Sequence, residues 1–160
     1  MGLFKKKGGP DPESTKKVQA LLNSIVGGDS DPDSDGWHIG YGSSIVNIQL
    51  YGEDENLGFP ETLSIWAFVL LDAPYDDAIY RYLMTDANTD YIKWQVSERE
   101  GADGKVSVIC GTSMLMSTVT DENLDFLLGQ VAGCADLWDD KLKERFGGYR
   151  VEDLEQENLS

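Results

Sequence analysis

TDENLDFLLGQVAGCADLWDDKLKERFGG, residues 120–148, decides the fold. Thr120 is placed to cap the free N–H groups of a first helical turn, and Asp121 and Glu122 sit where the helix dipole favours negative charge. Leu124, Leu127, Leu128, Val131, Ala135, Trp138, Leu142 and Phe146 then recur at steps of three and four. That spacing lays them along one stripe of a helix of about seven turns. Lys141, Lys143 and Arg145 fall in the last turns, where cations are stabilising, and Gly147 supplies a stop. One long C-terminal helix with a single apolar stripe needs a sheet to lie on, and the preceding residues must supply it.

Working outward, residues 1–13, MGLFKKKGGPDPE, read as a flexible basic leader. A first helix follows from about Ser14, with Val18, Leu21, Leu22, Ile25 and Val26 as its apolar stripe and Gly27-Gly28 as its end. Residues 29–36, DSDPDSDG, form an acidic loop. Trp37 to Tyr51 alternates like two short strands around a turn at Gly40–Ser43, with one face buried and one wet. LSIWAFVLLDAP, residues 63–74, is apolar almost without a break and reads as a central strand covered on both faces. Tyr75-Asp76-Asp77 opens a second helix that fades at Asp86-Ala87-Asn88. Ile92, Trp94 and Val96, the turn EGADGK, and Val106, Val108 and Cys110 complete a hairpin. The order is α-β-β-β-α-β-β-α. It predicts one α+β domain over residues 14–148, with a five-stranded antiparallel sheet packed by the N- and C-terminal helices, and an acidic, solvated tail at 149–160.

A chain of 160 residues suits one domain that buries a core without staples. Its formal charge of -16 repels phosphate backbones and anionic lipid heads, which argues against nucleic-acid and membrane partners and for a basic or apolar one. Two cysteines, Cys110 and Cys134, make no disulfide framework or metal-binding spacing. MGLFKKKGG lacks the apolar core of a signal peptide, no run is apolar enough to span a bilayer, and Lys6 stands where a myristoylation motif has Ser or Thr. The expectation is a cytoplasmic, reduced protein.

Each candidate chemistry meets an obstacle in the residues. Asp31, Asp33, Asp35 and Gly36 match the opening of a calcium loop, but Gly42 stands where a bidentate glutamate must close the oxygen shell. His38 is the single histidine, so any imidazole base must use it. A pairing with Cys110 or Cys134 is left open by sequence, although both cysteines read as small core residues. No phosphate loop, dinucleotide fingerprint, nucleophile elbow or zinc motif occurs. No catalytic residue, cofactor or metal is expected, and the third-ranked function is a thiol-dependent enzyme.

CADLWDDKLKERFGG, residues 134–148, resembles the closing helix of the YbjN-like family, which is grouped with bacterial type III secretion chaperones. The positions that carry the resemblance are Asp136, Asp139 and Asp140, then Phe146, Gly147 and Gly148. With the element order, the likeness extends over roughly residues 14–148. It implies a secretion-chaperone-like fold and a non-enzymatic homodimer that binds an extended segment of a client protein. It further implies that the second helix and its neighbouring strand contribute to dimerisation, which places Ile79, Tyr82 and Trp94 at that interface.

Surface aromatics fit such a role. Four tryptophans and seven tyrosines exceed what a minimal core needs, and aromatics are favoured at interfaces. Trp66 and Trp94 fall on strands in the two halves of the sheet, either buried under helices or turned to a partner. Exposed strand edges also suit an extended peptide. The alternative is a monomeric acidic adaptor or regulator that docks a basic partner protein.

Overall fold

Thr120 opens the long helix as its sequence requires. Its side chain accepts the Asn123 N–H, and the Asn123 side chain accepts the Thr120 N–H, a reciprocal cap. The computed structural model describes residues 9–27, 32, 36–42, 44–87, 89–98 and 104–158, with backbone only at 155–158. Its elements are α1 (Pro12–Val26), β1 (Trp37–Tyr41), β2 (Ser44–Tyr51), β3 (Thr62–Pro74), α2 (Asp77–Thr85), β4 (Lys93–Glu98), β5 (Lys105–Leu115), α3 (Asp121–Phe146) and α4 (Val151–Asn158). A short 3-10 turn, Met116–Thr118, joins β5 to α3.

The strands form one antiparallel sheet in the order β1-β2-β3-β5-β4. This is the α+β fold that the sequence predicts, with β3 at its centre. Cross-strand partners share a face, so the register sorts every strand residue to one side. Ile48 and Ile65, Ala67 and Cys110, and Trp94 and Cys110 are paired and face the helices. Leu124, Leu128, Val131, Ala135 and Leu142 of α3 are buried against that side, and Val18 and Leu22 of α1 join the same core. Each such leucine contributes about 1.5–3 kcal/mol by leaving water. Trp37 on β1 donates its indole N–H to Gln19 on α1, so α1 lies over the β1 end.

Several boundaries differ from the expectation. The first helix begins at Pro12 rather than Ser14, because Asp11 accepts the Glu13 N–H as its cap and Pro12 opens the first turn. β5 runs on to Leu115, since Thr112 and Met114 continue the inward alternation opposite Ile65 and Leu63. β3 is central but covered on one face only. Ser64 and Trp66 point away from α1, α2 and α3, Phe68 on the same face borders a crevice with Val151 and Glu152 of α4, and large aromatics at alternate positions hide the alternation that a half-wet strand normally shows.

The chain also continues in ordered structure beyond residue 148, where a solvated tail was expected. Gly148 has φ +91 and lies against the backbone of β3: a Cβ there would stand 2.6 Å from the Leu71 carbonyl oxygen. That approach lets Tyr149 and Leu71 exchange both backbone hydrogen bonds, at 2.7 and 2.8 Å. Asp153 of α4 then takes Lys143 of α3 at 2.9 Å, and Arg150 takes Asp140 at 2.7 Å. The phenylalanine–glycine–glycine stop is therefore a docking element for the chain end.

Gly148→Ala is expected to lower stability by about 2–4 kcal/mol, from the left-handed backbone and the clash together. Gly133, inside α3 with open space at its Cβ, is expected to behave oppositely, with Gly133→Ala gaining about 0.5–1 kcal/mol. Urea unfolding of the two variants beside the parent chain measures both.

Candidate protein-binding surface

α1, α2 and α3 lie on one side of the sheet, and among the described residues the second face meets a helix only where α4 borders Ile45 and Phe68. The residues there follow from the register: His38 and Gly40 of β1; Ile45, Asn47, Gln49 and Tyr51 of β2; Ser64, Trp66 and Phe68 of β3; Ile109, Gly111 and Ser113 of β5; and Lys93 and Gln95 of β4. None of the strand residues that the register places on this face is Asp or Glu. In a chain of formal charge -16 that is a marked segregation of charge. Ile45 and Tyr51 are exposed, and Trp66, Phe68 and Ile109 are half-buried.

Trp66 organises the face. Its ring meets Phe68 edge-on at 5.1 Å, and it sits opposite Gly111 across the β3–β5 ladder. A Cβ on Gly111 would stand 2.8 Å from both the Ile65 carbonyl oxygen and Trp66 Cβ. Glycine is thus required for Trp66 to lie where it does, and its missing side chain leaves a depression beside the ring. The result is a cleft of about 460 Å³ between Trp66, Tyr51, Gln49, Ile109, Gln95 and Lys93. That is a size that accepts side chains or a small molecule, with amide and hydroxyl groups at its rim and one cation. Asn47, though buried, is satisfied: it donates to the Trp66 carbonyl at 3.4 Å and pairs with His38 Nδ1.

A second apolar region gathers around α2, β4 and the middle of α3. Tyr82 packs edge-on against Trp138 and Phe146, and Trp94 against Trp138. Lys141 and Arg145 lie over the Trp138 and Tyr82 rings. Trp94 donates its indole N–H to the Ala87 carbonyl at 2.6 Å. Of the three residues expected at an interface, Tyr82 and Trp94 belong to this half-buried cluster. Ile79 is fully buried, because it lies on the α2 face that meets the core, and so has no surface to offer a partner. The exposed companions that sequence reasoning passed over are Tyr80 and Met84, on the outer side of the same helix.

The residues that carry the sequence resemblance make contacts within the fold. Asp136 accepts the Ser44 hydroxyl at 2.5 Å, tying α3 to the start of β2. Asp139 lies beside a small crevice near Arg150, and desolvation raises its carboxyl above the ordinary carboxylate range. Asp140 pairs with Arg150, Phe146 stacks on Tyr82, and Gly147 and Gly148 dock the chain end. None of these lines the Trp66 cleft.

Cys110 and Cys134, on β5 and α3, are brought together in the core. His38 lies on β1 and on the opposite face of the sheet, so it forms no nucleophile pair with either cysteine. Among the described residues no group of His, Cys, Asp and Glu is arranged to hold a metal ion. Asp31, Asp33 and Asp35 of the calcium-loop reading lie outside the described residues. Among the described residues no helix is long and apolar enough to cross a membrane.

Comparison with known proteins places the fold. A chain in the solved structure "Crystal Structure of the ExsC-ExsE Complex" superposes with a TM-score of 0.54 and 20% identity, covering 79% of this chain and 93% of that chain. The architecture is therefore a type III secretion chaperone-like fold. No protein-family model matches the sequence, and no curated protein matches it.

The ion pairs at the chain end give a pH test. Hydrogen bonds from Arg150 and then Lys143 hold the Asp153 carboxyl well below the usual carboxylate range. A carboxyl depressed in the folded state contributes stability that is complete above its unfolded pKa, about 3.9, and is lost as pH falls below that value. Thermal melts from pH 7 down to pH 3 should therefore show the parent chain losing Tm more steeply below pH 4 than Asp153→Asn, which starts lower at neutral pH. Parallel profiles would remove this role for Asp153.

Proposed function

We propose that this chain is a non-enzymatic, chaperone-like binding protein that holds an extended segment of a client protein on the open face of its sheet. The observation that carries this reading is the carboxylate-free, aromatic face around Trp66 in a chain otherwise dense in acids. A carboxylate-free, half-apolar cleft wet on one side, with Lys93 as its one charge, selects apolar and amide side chains, and the surrounding negative field favours clients with basic flanks. The free β1 edge beside it offers unpaired backbone groups to a segment continuing off the face.

In the same reading the protein is a homodimer that meets its copy through α2 and β4. Tyr82 and Trp94 lie in the aromatic cluster there, with Tyr80 and Met84 adding exposed apolar surface. β4 is also the second free sheet edge. In this reading the residue pattern at 134–148 is what favours placing the chain with the YbjN-like proteins, and with that a bacterial, cytoplasmic setting. The charge of -16 favours one other reading, a monomeric adaptor held to a basic partner by its acidic surface.

Salt and two substitutions separate these readings. Parent chain, Trp66→Ser and Met84→Asp are each used as bait in lysate of the native cell and washed in low and then high salt. A client on the open face survives high salt on the parent and on Met84→Asp, and is lost from Trp66→Ser, with affinity reduced at least tenfold. A partner that leaves every bait at high salt, indifferent to Trp66, marks the adaptor instead. Sedimentation of the purified chain is expected to give a dimer that Met84→Asp converts to a monomer. A monomeric parent chain at high concentration overturns the dimer.

A further inference from the structure

We propose that Cys110 and Cys134 are a reversible dithiol–disulfide site whose closure cross-links β5 to α3 beneath the Trp94–Trp138 contact. The two cysteines are the only ones in the chain. They belong to β5 and α3, and both are buried in the core. Cys110 Sγ stands 3.6 Å from the Val131 carbonyl, one helical turn before Cys134, and its thiol is hydrogen-bonded to that of Cys134. Trp94 faces Cys110 across the β4–β5 ladder, and Trp138 follows Cys134 by one turn of α3. Each cysteine therefore neighbours one of the two indoles, which meet at 6.4 Å.

The two thiols are not equivalent. Cys110 is fully buried, and its thiol is raised by its hydrogen bond to Cys134 and by desolvation. Cys134 retains 7% exposure, and the hydrogen bond from Cys110 lowers its thiol. A thiolate is the nucleophile in disulfide exchange, so attack starts at Cys134. With a low-molecular-weight disulfide such as oxidised glutathione as the oxidant, the Cys134 sulfur attacks one sulfur of that disulfide. The S–S bond breaks, and the first small thiol leaves carrying the proton that Cys134 gave up. The Cys110 sulfur then attacks Cys134 in the mixed disulfide and expels the second small thiol with its own proton. The protein is oxidised by two electrons and loses two hydrogens, and the small disulfide is reduced to two thiols. A reducing thiol runs both steps backwards.

Closure pins the middle of α3 to β5 next to the α2–β4 cluster, but the site stands independently of any client or dimer. The test incubates the full chain with oxidised glutathione at pH 8 and follows free thiols, intact mass and tryptophan emission. The expected product has the mass of a single chain less two hydrogens, lacks both thiols, and has quenched emission, since a disulfide quenches a nearby indole. Its Tm is raised by roughly 10 °C. Dithiothreitol restores all four signals. Cys134→Ala is expected to show neither the quenching nor the Tm rise. The proposal is overturned if the folded parent keeps both thiols while the urea-unfolded chain reacts. A persistent glutathione adduct, a disulfide between two chains, or an equal Tm rise in Cys134→Ala overturns it as well. Reversal by dithiothreitol on the parent chain needs no variant to fold.

Discussion

One packing contact governs the molecule: the apolar stripe of α3 laid across the centre of the sheet. Leu124, Leu128, Val131 and Leu142 are withdrawn from water against Ile65, Ala67, Val108 and Cys110. Burial of this kind is the dominant favourable term in folding, and a sheet of five strands has one face for one such helix layer. Because α1 and α2 gather on the same side, the second face is left to solvent. The candidate function follows from that asymmetry, since a helix on both sides would have closed the Trp66 cleft.

The open face stays tolerable in water because its apolar groups are interspersed with Ser64, Ser113, Gln49 and Gln95. Its edges are guarded as sheets often guard them. β4 is short and carries Lys93, while β1 is only five residues long and contains Gly40. Acids are kept off the face and concentrated in loops and on helix surfaces. Charge placement therefore does two things here: it keeps the chain soluble as a whole, and it leaves one neutral window through which an apolar segment approaches without a desolvated carboxylate.

The chain end shows how a recognisable motif turns out to be structural. Asp136, Asp139, Asp140, Phe146, Gly147 and Gly148 surround the place where α3 stops, the chain crosses to β3, and α4 returns to α3 through Asp153. Two glycines with positive φ make that crossing possible, and Arg150 ties it with carboxylates from both helices. A residue pattern of this sort marks a fold because its spacing is set by the geometry of a docking turn.

By itself the sequence determined the elements from α1 to α3 and their order, though not α4, because period, caps and stops act locally. Thr120, the leucine stripe and Gly147 needed no partner to be read, and neither did the alternation of Val46, Ile48 and Leu50. It also determined the charge that argues against nucleic acid. The tertiary structure alone decided which side each strand residue faces. The strand holding Trp66 and Phe68 read as covered on both faces, with Trp66 left either buried or turned to a partner, because aromatic residues at alternate positions erase the polar half of the pattern, and only pairing with Gly111 and Ile109 places them on the open face. Ile79 read as a surface residue because a helical stripe does not say whether it meets the core or a partner. Cys110 and Cys134 read as unrelated because their meeting depends on how α3 crosses β5. Such contacts join residues far apart in the chain, and no local propensity encodes them.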